Sequence, residues 1–585
     1  MQKGMLILEA CTVRRLPQPP PSNMSSIYRV SSIILIISIV LLLNSCDEAK
    51  PPETVIVNTP QELNVKASDV IHSSLDYAAE NGGSIDDTIS LFSTSGVRLI
   101  YNDYGFATLW SSEERWNPMG NSLRQVIGKA KIYGLFPSDY HYDFLDSLNR
   151  VFEQDTLSKR QRRDAVLWAK ADIALTDAFV HIVKDLKLGR LPQDSITQRK
   201  DSSLTNEFYK QQYDRLRQVG SLASIFDSLE PKHAGYRDLR GAIKNFLDSA
   251  DDKTYTVVPP LKDINFRSAL QKRLTEAGFI ADDSLVLDSA RLSEAVRAFQ
   301  KSKNITVDGK VGEGTLRALN TTDQDRFIQI AINLDRYKML ADTLPSRYIW
   351  VNLPSYYMKL VEGDSLLIYS KIICGKNITR TPLLTSAISE LIAFPQWTIP
   401  NSIIVKEVLP GIKRDSAYLE KRGYSLIDDN GNLIDPRTVN WSKYNKGIPY
   451  KVVQGSGDEN ALGILKFNFP NKYAVYLHDT NQRYLFGRDI RSLSHGCVRV
   501  QQWESLAYNI VRFDNKEKYG LETSPVEDSL TTWLMRKEKH SIPVRKRLPV
   551  FIRYFTCEAK DGKLVFYDDI YGEDKSLKDR FFAGK

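Results

Sequence analysis

The chain is 585 residues long, which is too long for one hydrophobic core and indicates three or four domains of about 150 residues each. Apolar residues make up 42% of the sequence and charged residues 26%, a composition typical of folded globular proteins and not of disordered ones. The net charge of +8 is spread along the chain, without the basic stripe that nucleic-acid binding requires, so no nucleic-acid partner is expected.

An apolar stretch near the N-terminus is typical of an export signal. It covers residues 33–43, is interrupted only by Ser38 and follows Arg29. About 11 residues are too few to cross a bilayer core, which needs roughly 20. The stretch therefore indicates the apolar core of a signal peptide.

The residues that follow resemble a lipoprotein signal. The stretch ends in Leu-Asn-Ser-Cys at positions 43–46, and in such signals the cysteine becomes the lipidated first residue of the mature chain. The resemblance implies a signal segment over 1–46, lipidation of Cys46, and a periplasmic lipoprotein anchored to a membrane of the bacterial envelope. Asn44 is unusual in the motif, so an uncleaved anchor and a plain cleaved signal stay open. Met24 lies at a better distance for a signal start than Met1.

Export makes the cysteine count informative. If Cys11 and Cys46 are set aside, three of the five cysteines remain: Cys374, Cys497 and Cys557. An odd number leaves at least one thiol unpaired, which calls for an explanation in an exported protein. Cys374 and Cys557 lie in apolar strand-like runs, as inert buried cysteines do.

Two segments precede the next recognisable unit. Residues 47–62 are polar and proline-containing and are predicted to be a linker. Residues 63–255 are predicted to form a helical scaffold domain, because apolar residues recur there at helical spacing. One such face consists of Leu123, Val126, Ile127 and Ala130.

A compact unit follows a polar break at 251–260. Two stretches place apolar residues on one helical face each: Phe266, Leu270 and Leu274; and Leu292, Val296 and Phe299. A short third helix is predicted to start with Thr315, Leu316 and Leu319. The segments 295–300 (Ala-Val-Arg-Ala-Phe-Gln) and 307–309 (Val-Asp-Gly) resemble the three-helix peptidoglycan-binding module. The resemblance implies that residues 258–322 bind peptidoglycan; a generic helical bundle is the alternative.

The periodicity changes after about residue 345. Short runs rich in Val, Ile, Tyr and Phe predict a mostly β domain over 323–515. Strands are expected at 348–353, 357–362, 366–374, 452–453, 465–469 and 473–477. A polar helical insertion over 400–450 is predicted to cap this domain, and the C-terminal segment 516–585 is expected to complete it.

Two of the seven histidines, His478 and His495, lie within 19 residues of Cys497. A thiol with an ordinary pKa near about 8.5 is mostly protonated at neutral pH and needs an imidazole to become a nucleophile. Gly496 allows a close turn, so the N–H groups of Gly496 and Cys497 are candidates to stabilise an oxyanion. A buried inert cysteine, coincidental histidines and a zinc site of His478, His495 and Cys497 are the alternatives, although no CxxC or HExxH partner is present.

These residues resemble a known family. His478, the spacer and Ser-His-Gly-Cys at 494–497 are similar to the signature of the L,D-transpeptidase catalytic domain. Further similarity lies at 381–382, 394–400, 460–463, 466–467 and 477–480 and points to the long subfamily with a capping insertion. The implied fold is multidomain α+β: a helical scaffold, a three-helix peptidoglycan-binding module, and a mostly β catalytic domain with a helical capping insertion. Arg499, where many members have Asn, and the Gly-rich turn at 454–457 depart from the pattern.

The resemblance implies an enzyme that attaches peptidoglycan stem peptides to Cys497 and transfers them to an amine, forming 3→3 cross-links in cell-wall biogenesis and cell shape. No cofactor or metal is implied, and carbapenems would acylate Cys497. His478 is the expected base, oriented by a backbone carbonyl because Asp479 points to the other face of its strand. L,D-carboxypeptidase activity, attachment of a protein to the wall, and a non-catalytic peptidoglycan-binding scaffold stay open.

Five further residues are expected to contact substrate. Ser494 and His495 belong to the motif, and His495 is expected to shape its loop or touch substrate. Arg499 is expected to pair with a substrate carboxylate. Tyr476 is either a ligand of the oxyanion or stem, or a cross-strand packing residue. Trp397 either lines the donor groove or is an ordinary core tryptophan.

Overall fold

The computed structural model describes residues 52–153, 162–281, 287–303, 305–520 and 525–585. The predicted signal segment 1–46, with Cys46, and the first five residues of the predicted linker lie outside these ranges. Among the helices in these ranges, none has the length and apolar character needed to cross a membrane.

In the described residues before 230, seven α-helices share one hydrophobic core. They are α1 (Pro60–Glu80), α2 (Thr94–Asp103), α3 (Pro118–Gly128), α4 (Tyr142–Glu153), α5 (Ala165–Leu188), α6 (Asn206–Val219) and α7 (Leu222–Leu229). Helix α5 is buried around most of its circumference and is the central element of this core. A short hairpin of β1 (Ser111–Ser112) and β2 (Arg115–Trp116) lies between α2 and α3. This bundle is the helical scaffold that the sequence predicts.

The end of the predicted linker is folded onto this bundle. The Val57 N–H donates to the Arg163 carbonyl (3.0 Å), and the Ala165 N–H donates to the Val55 carbonyl (2.8 Å). Helix α1 then begins at Pro60, and the Thr59 hydroxyl oxygen caps it by accepting the Glu62 N–H. Local sequence patterns do not reveal this pairing, because it joins residues about 110 positions apart.

Helix α8 (Ala234–Leu247) leads into the small module, which consists of α9 (Phe266–Glu276), α10 (Ser289–Ser302) and α11 (Glu313–Asn320). The apolar residues predicted to face inward, such as Leu274, Phe299 and Leu319, form a separate core. Gln300 fixes the turn before α11, because its Oε1 accepts the N–H groups of Asp308 (3.0 Å) and Gly309 (2.8 Å).

Helix α12 (Asp323–Lys338) connects the module to the β domain. Its Leu334 and Tyr337 pack with residues of α8 and with Trp350 and Phe551 from the sheet. The scaffold and the catalytic sheet are therefore joined through a shared apolar contact.

The remaining strands form one large sheet and two small ones. They are β3 (Arg347–Asn352), β4 (Tyr357–Glu362), β5 (Ser365–Gly375), β6 (Leu384–Ala393), β7 (Trp397–Thr398), β8 (Tyr424–Ile427), β9 (Leu433–Ile434), β10 (Lys451–Gln454), β11 (Leu465–Asn468), β12 (Leu477–His478), β13 (Ser492–Ser494), β14 (Val498–Val500), β15 (His540–Arg553), β16 (Cys557–Lys560) and β17 (Lys563–Phe566). The large sheet has the order β13-β5-β14-β12-β11-β6-β15-β3-β4. Because β4 also pairs with β5, the sheet closes on itself around a core.

The insertion contains the predicted helix and most of a small sheet, of which the sequence predicts only the strand at 452–453. The helical stretch consists of α13 (Asn401–Ile403), a π-helical turn (Ile404–Val408) and α14 (Leu409–Arg414). Strands β7, β10, β8 and β9 pair beside it in that order and share an apolar core with it. Strands β7, β8 and β9 are too short to show an alternation that the sequence pattern could reveal.

The C-terminal segment contributes to the closed sheet. Helices α15 (Trp503–Tyr519) and α16 (Pro525–Arg536) precede β15, which lies between β6 and β3 in the sheet. Strands β16 and β17 form a separate hairpin, and α17 (Glu573–Phe581) follows it.

Candidate active site

Three neighbouring strands carry a row of polar side chains on the outer face of the sheet. The register pairs Lys466 of β11 with His478 of β12, and His478 with Arg499 of β14. Cys497 lies two residues before Arg499, so strand alternation places it on the same face as His478. The alternate residues, such as Leu477 and Val498, point into the core. The structure therefore brings Cys497 and His478 onto one surface.

His478 is buried and its imidazole is held by the backbone. Its side chain is 3% exposed, and Nδ1 bonds the Asp479 carbonyl oxygen. A carbonyl oxygen accepts only, so Nδ1 carries the proton and Nε2 keeps a free lone pair. The Asp479 carboxylate is engaged elsewhere, with Arg483 (Nη2···Oδ2 2.6 Å) and the Ile464 N–H (3.1 Å). A backbone carbonyl orients the imidazole, as the sequence predicts.

The surroundings of His478 keep it uncharged. Burial lowers the pKa of His478 to about 3, and the neighbouring Arg499 and Lys466 charges act in the same direction. The imidazole is therefore neutral at neutral pH and is in the form that accepts a proton.

The Cys497 thiol lies between cationic neighbours. Burial raises the pKa of Cys497, whereas Lys466 and Arg499 oppose that rise. The thiol is therefore protonated in the resting site and needs a base. Sγ lies 3.9 Å from the Ala474 carbonyl oxygen, and a hydrogen bond from the Tyr476 backbone also opposes the rise in pKa. The described residues show no hydrogen bond between Sγ and His478.

The loop before Cys497 is braced by Ser494. This residue is 2% exposed; its hydroxyl donates to the Cys497 carbonyl (2.6 Å) and accepts the Gly496 N–H (3.1 Å). The expectation that the Gly496 N–H faces an oxyanion is therefore wrong, because the Ser494 oxygen already takes it. The Cys497 N–H has no acceptor within the described ranges. A substrate contact of Ser494 stays a prediction.

Thr381 also stabilises this loop. The sequence analysis gave this residue no role. The buried Thr381 hydroxyl donates to the Gly496 carbonyl (2.8 Å) and accepts the Gly375 N–H (2.9 Å). Tyr571 donates to the Gly375 carbonyl in turn (2.8 Å). Gly496 has φ +124°, a conformation that favours glycine. No local pattern marks Tyr571, which follows β17 by five residues.

We expect Thr381→Val to lower both stability and turnover. Valine has the same shape but leaves the Gly375 N–H and the Gly496 carbonyl unpaired in a buried place, which costs about 1–3 kcal/mol. The free energy of unfolding should fall by that amount, and turnover should fall about tenfold as the loop loosens. Thr532→Val, which removes an exposed hydroxyl bonded within α16, is the control. Unchanged turnover in Thr381→Val would show that the Thr381 hydrogen bonds do not hold the catalytic loop in its active conformation.

Tyr476 lies under Lys466, a residue of the family resemblance to which the sequence assigned no role in the site. Lys466 Nζ is 3.6 Å from the centroid of the Tyr476 ring. The strand predicted for 473–477 is shorter than expected, because Asn471 closes a turn and Ala474 has φ +54°. Lys466 alternates with buried Leu465 and Phe467, but only the strand register reveals that it reaches the site.

The other predicted contacts lie at different places around the site. Arg499 bonds Gln482 (Nη1···Oε1 3.0 Å) and has an Nε without a partner in the described residues. His495 pairs with Glu407 of the π-helical turn, which connects the catalytic loop to the insertion. Trp397 is half-buried against the apolar core of the insertion. Its role in a donor groove stays a prediction.

The zinc alternative has no geometric support. In the parts of the chain that the structure describes, no three His, Cys, Asp or Glu side chains converge as metal ligands. His495 is engaged with Glu407 instead of turning toward His478 and Cys497.

Comparison with protein families identifies the domain that carries these residues. Residues 346–526 match the family described as "L,D-transpeptidase catalytic domain". The chain carries an L,D-transpeptidase catalytic domain. Residues 95–243 match "Scaffold domain" and residues 265–319 match "Putative peptidoglycan binding domain". The L,D-transpeptidase domain thus contains Cys497, His478 and the residues around them.

Individual proteins are also similar to this chain. A protein from Haemophilus influenzae named "Putative L,D-transpeptidase" is 36% identical over 249 residues, which are 43% of this chain and 48% of that protein. The match thus spans about half the length of the relative. Solved L,D-transpeptidases from Stackebrandtia nassauensis (16% identity, 44% of this chain, 90% of that chain, TM-score 0.14) and Xylanimonas cellulosilytica (14%, 52%, 97%, 0.13) are also similar. The sequence families, and not these two structures, identify the L,D-transpeptidase domain.

Proposed function

We propose that this protein is a peptidoglycan L,D-transpeptidase that forms 3→3 cross-links through a thioester on Cys497. The observation that carries the proposal is the placement of Cys497 and a neutral, backbone-oriented His478 on one face of the domain that matches the L,D-transpeptidase family. The two groups are a nucleophile and a base of matching chemistry.

In the first half-reaction Sγ of Cys497 attacks the carbonyl between the third and fourth residues of a donor stem. The thiol contact with the Ala474 carbonyl is long and weak, so little is lost when Sγ turns toward the imidazole. Nε2 of His478 takes the thiol proton and passes it to the departing amine of the terminal D-Ala. A thioester on Cys497 remains.

In the second half-reaction the side-chain amine of a diamino acid on a neighbouring stem attacks the thioester. His478 takes the amine proton and returns it to the departing sulfur, so the enzyme regains its resting state. The new amide joins the third residues of two stems, which is a 3→3 cross-link. No cofactor takes part in this proton balance.

Charges around the sulfur support both steps. Lys466 and Arg499 flank His478 in the strand register and act on Cys497. They stabilise the thiolate and the oxyanion of the tetrahedral intermediate, together with the Cys497 N–H. Arg499, whose Nε has no partner in the described residues, would also pair with a stem carboxylate.

We further propose that the chain works in the cell envelope, where its substrate lies. Its peptidoglycan-binding module would hold the enzyme on the wall, and a lipid on Cys46 would hold it on a membrane. The described residues begin at 52, so this anchor rests on the sequence pattern.

Mass spectrometry of muropeptides incubated with the protein tests the proposed reaction. Tetrapeptide monomers should be converted to 3→3 dimers with release of D-Ala. Tripeptides without dimers would indicate a carboxypeptidase, and unchanged monomers would indicate a non-catalytic scaffold. A carbapenem should add its mass to the intact protein, and digestion should place the adduct on Cys497.

A further inference from the structure

A cavity of about 630 Å³ lies between the scaffold and the catalytic sheet, away from Cys497. Its walls come from residues 191–196, from α12 and from the C-terminal segment. Arg380 also lines it, and the carbonyl oxygen of that residue is 3.6 Å from where a Cβ on Gly496 would stand. The cavity is therefore directly behind the catalytic loop.

The cavity contains a buried arginine that forms no short-range ion pair in the described residues, although the Asp194 charge in the same lining acts on it from a distance. Arg553 is 2% exposed, and its guanidinium donates to neutral groups: the Leu384 carbonyl (2.8 Å), Thr385 Oγ1 (2.7 Å) and Gln198 Oε1 (3.2 Å). No carboxylate pairs with it in the described residues, and its Nε has no partner there. A buried charge without a counter-ion is costly, so this position favours an anion.

The rim of the cavity adds more positive charge. Arg580 and Arg380 are exposed residues that line it and form no ion pair within the described ranges. Arg336 is neutralised by Asp574. The acids in the lining are Glu573 and Asp194, so the lining keeps an excess of positive charge.

The mixture of groups points to a peptide and not to an inorganic anion. Leu191, Met339 and Leu383 give the cavity apolar walls, which suit aliphatic side chains. Glu573 forms no short-range ion pair in the described part of the chain, and although the charges of Arg336 and Arg380 act on it, its carboxylate can accept an ammonium group. A ligand with a carboxylate, an amine and short apolar groups satisfies all of these features, and the volume suits a few residues.

We propose that this cavity binds a short peptide that has a free carboxylate and a free amine. The carboxylate would lie against Arg553 and Arg580, and the amine would lie against Glu573. If the proposed function holds, the stem tetrapeptide is such a peptide, and the cavity is then a second stem-binding site separate from the catalytic surface.

Calorimetric titration of the full chain carrying Cys497→Ala tests this, because that variant binds the stem tetrapeptide without turnover. Adding Arg580→Gln should weaken one binding event about tenfold, as expected for loss of a charge-assisted hydrogen bond. Adding Arg553→Gln should remove that event. Arg237→Gln, an exposed arginine of α8 outside the cavity, should change nothing. If Arg553→Gln lowers the melting temperature, its loss of binding could come from unfolding. The exposed Arg580→Gln variant then provides the test.

Further titrations separate the outcomes. A tetrapeptide with a C-terminal amide should lose the Arg580-dependent event. If inorganic phosphate displaces the tetrapeptide at equal concentration, the cavity is a simple anion site and the proposal is overturned. Equal binding of the tetrapeptide with and without Arg580 would also overturn it. Muropeptide dimers formed by the unmodified protein are scored separately. Their absence would overturn the proposed function, and their presence without Arg580-dependent binding would overturn only this inference.

Discussion

Replacing Cys497 with alanine should abolish formation of 3→3 dimers. The substitution removes the only atom that forms the thioester, so the rate should fall on the order of 10⁴-fold or more. Alanine fits without strain, because it is smaller than cysteine and removes only the contacts of Sγ with the Ala474 carbonyl and the Tyr476 backbone. Binding to purified sacculi should stay, since the peptidoglycan-binding module has its own core. Muropeptide mass spectrometry and a sacculus pull-down measure the two properties.

Cys374→Ala is the matched control for this experiment. Its thiol is fully buried in the sheet, and burial raises the pKa of Cys374 to about 12, so it is chemically inert at neutral pH. That variant should keep its activity and should still gain the mass of a carbapenem. If Cys497→Ala still makes dimers, or if Cys374→Ala loses them at unchanged stability, Cys497 is not the nucleophile.

Replacing His478 with glutamine should lower kcat about 10²- to 10⁴-fold, which is the usual contribution of a general base. Glutamine keeps a donor for the Asp479 carbonyl but cannot accept the thiol proton. KM should change little, because His478 is buried and acts on the thiol. Acylation by a carbapenem should slow in parallel. His72→Gln, at an exposed site on α1, is the control, and a His478 variant with normal kcat would exclude it as the base.

The His478→Gln variant should also change how the free energy of unfolding depends on pH. The pKa of His478 is about 3 in the folded chain and 6.5 for an ordinary histidine. Between these values the unfolded chain binds a proton that the folded chain does not, so the free energy of unfolding falls as pH drops from about 6.5 toward 3. Above about pH 6.5 the imidazole is neutral in both states, so His478 causes no loss in the free energy of unfolding there. Urea unfolding at several pH values should show a smaller fall in His478→Gln, and equal falls would contradict a buried neutral imidazole.

Local patterns predicted the helices of the scaffold and module, most of the strands and the two central residues of the site. Apolar spacing is set by one element at a time, so Leu274 and Phe299 could be placed without a structure. Cys497 and His478 were found because two unusual residue types lie close together in sequence. The family resemblance then supplied their roles.

The missed features depend on contacts between distant segments. Lys466 reaches the site only through the register of β11 with β12, and alternation alone does not set that register. Thr381 and Tyr571 act through hydrogen bonds across about 115 and 196 positions. The Gly496 N–H was assigned to an oxyanion because nothing in the motif shows that Ser494 turns back to accept it.

The position of β15 has a consequence for how the enzyme matures. This strand lies between β6 and β3 and is the only link between them in the described sheet, yet it comes more than 40 residues after Cys497. A chain made from its N-terminus therefore carries the nucleophile for some time before the sheet can close and Tyr571 can support the loop. Contacts of such long sequence separation form late in folding. On the proposed function, acyl transfer would therefore wait until β15 has joined the sheet, by which time the helical bundle and the small module have already been made.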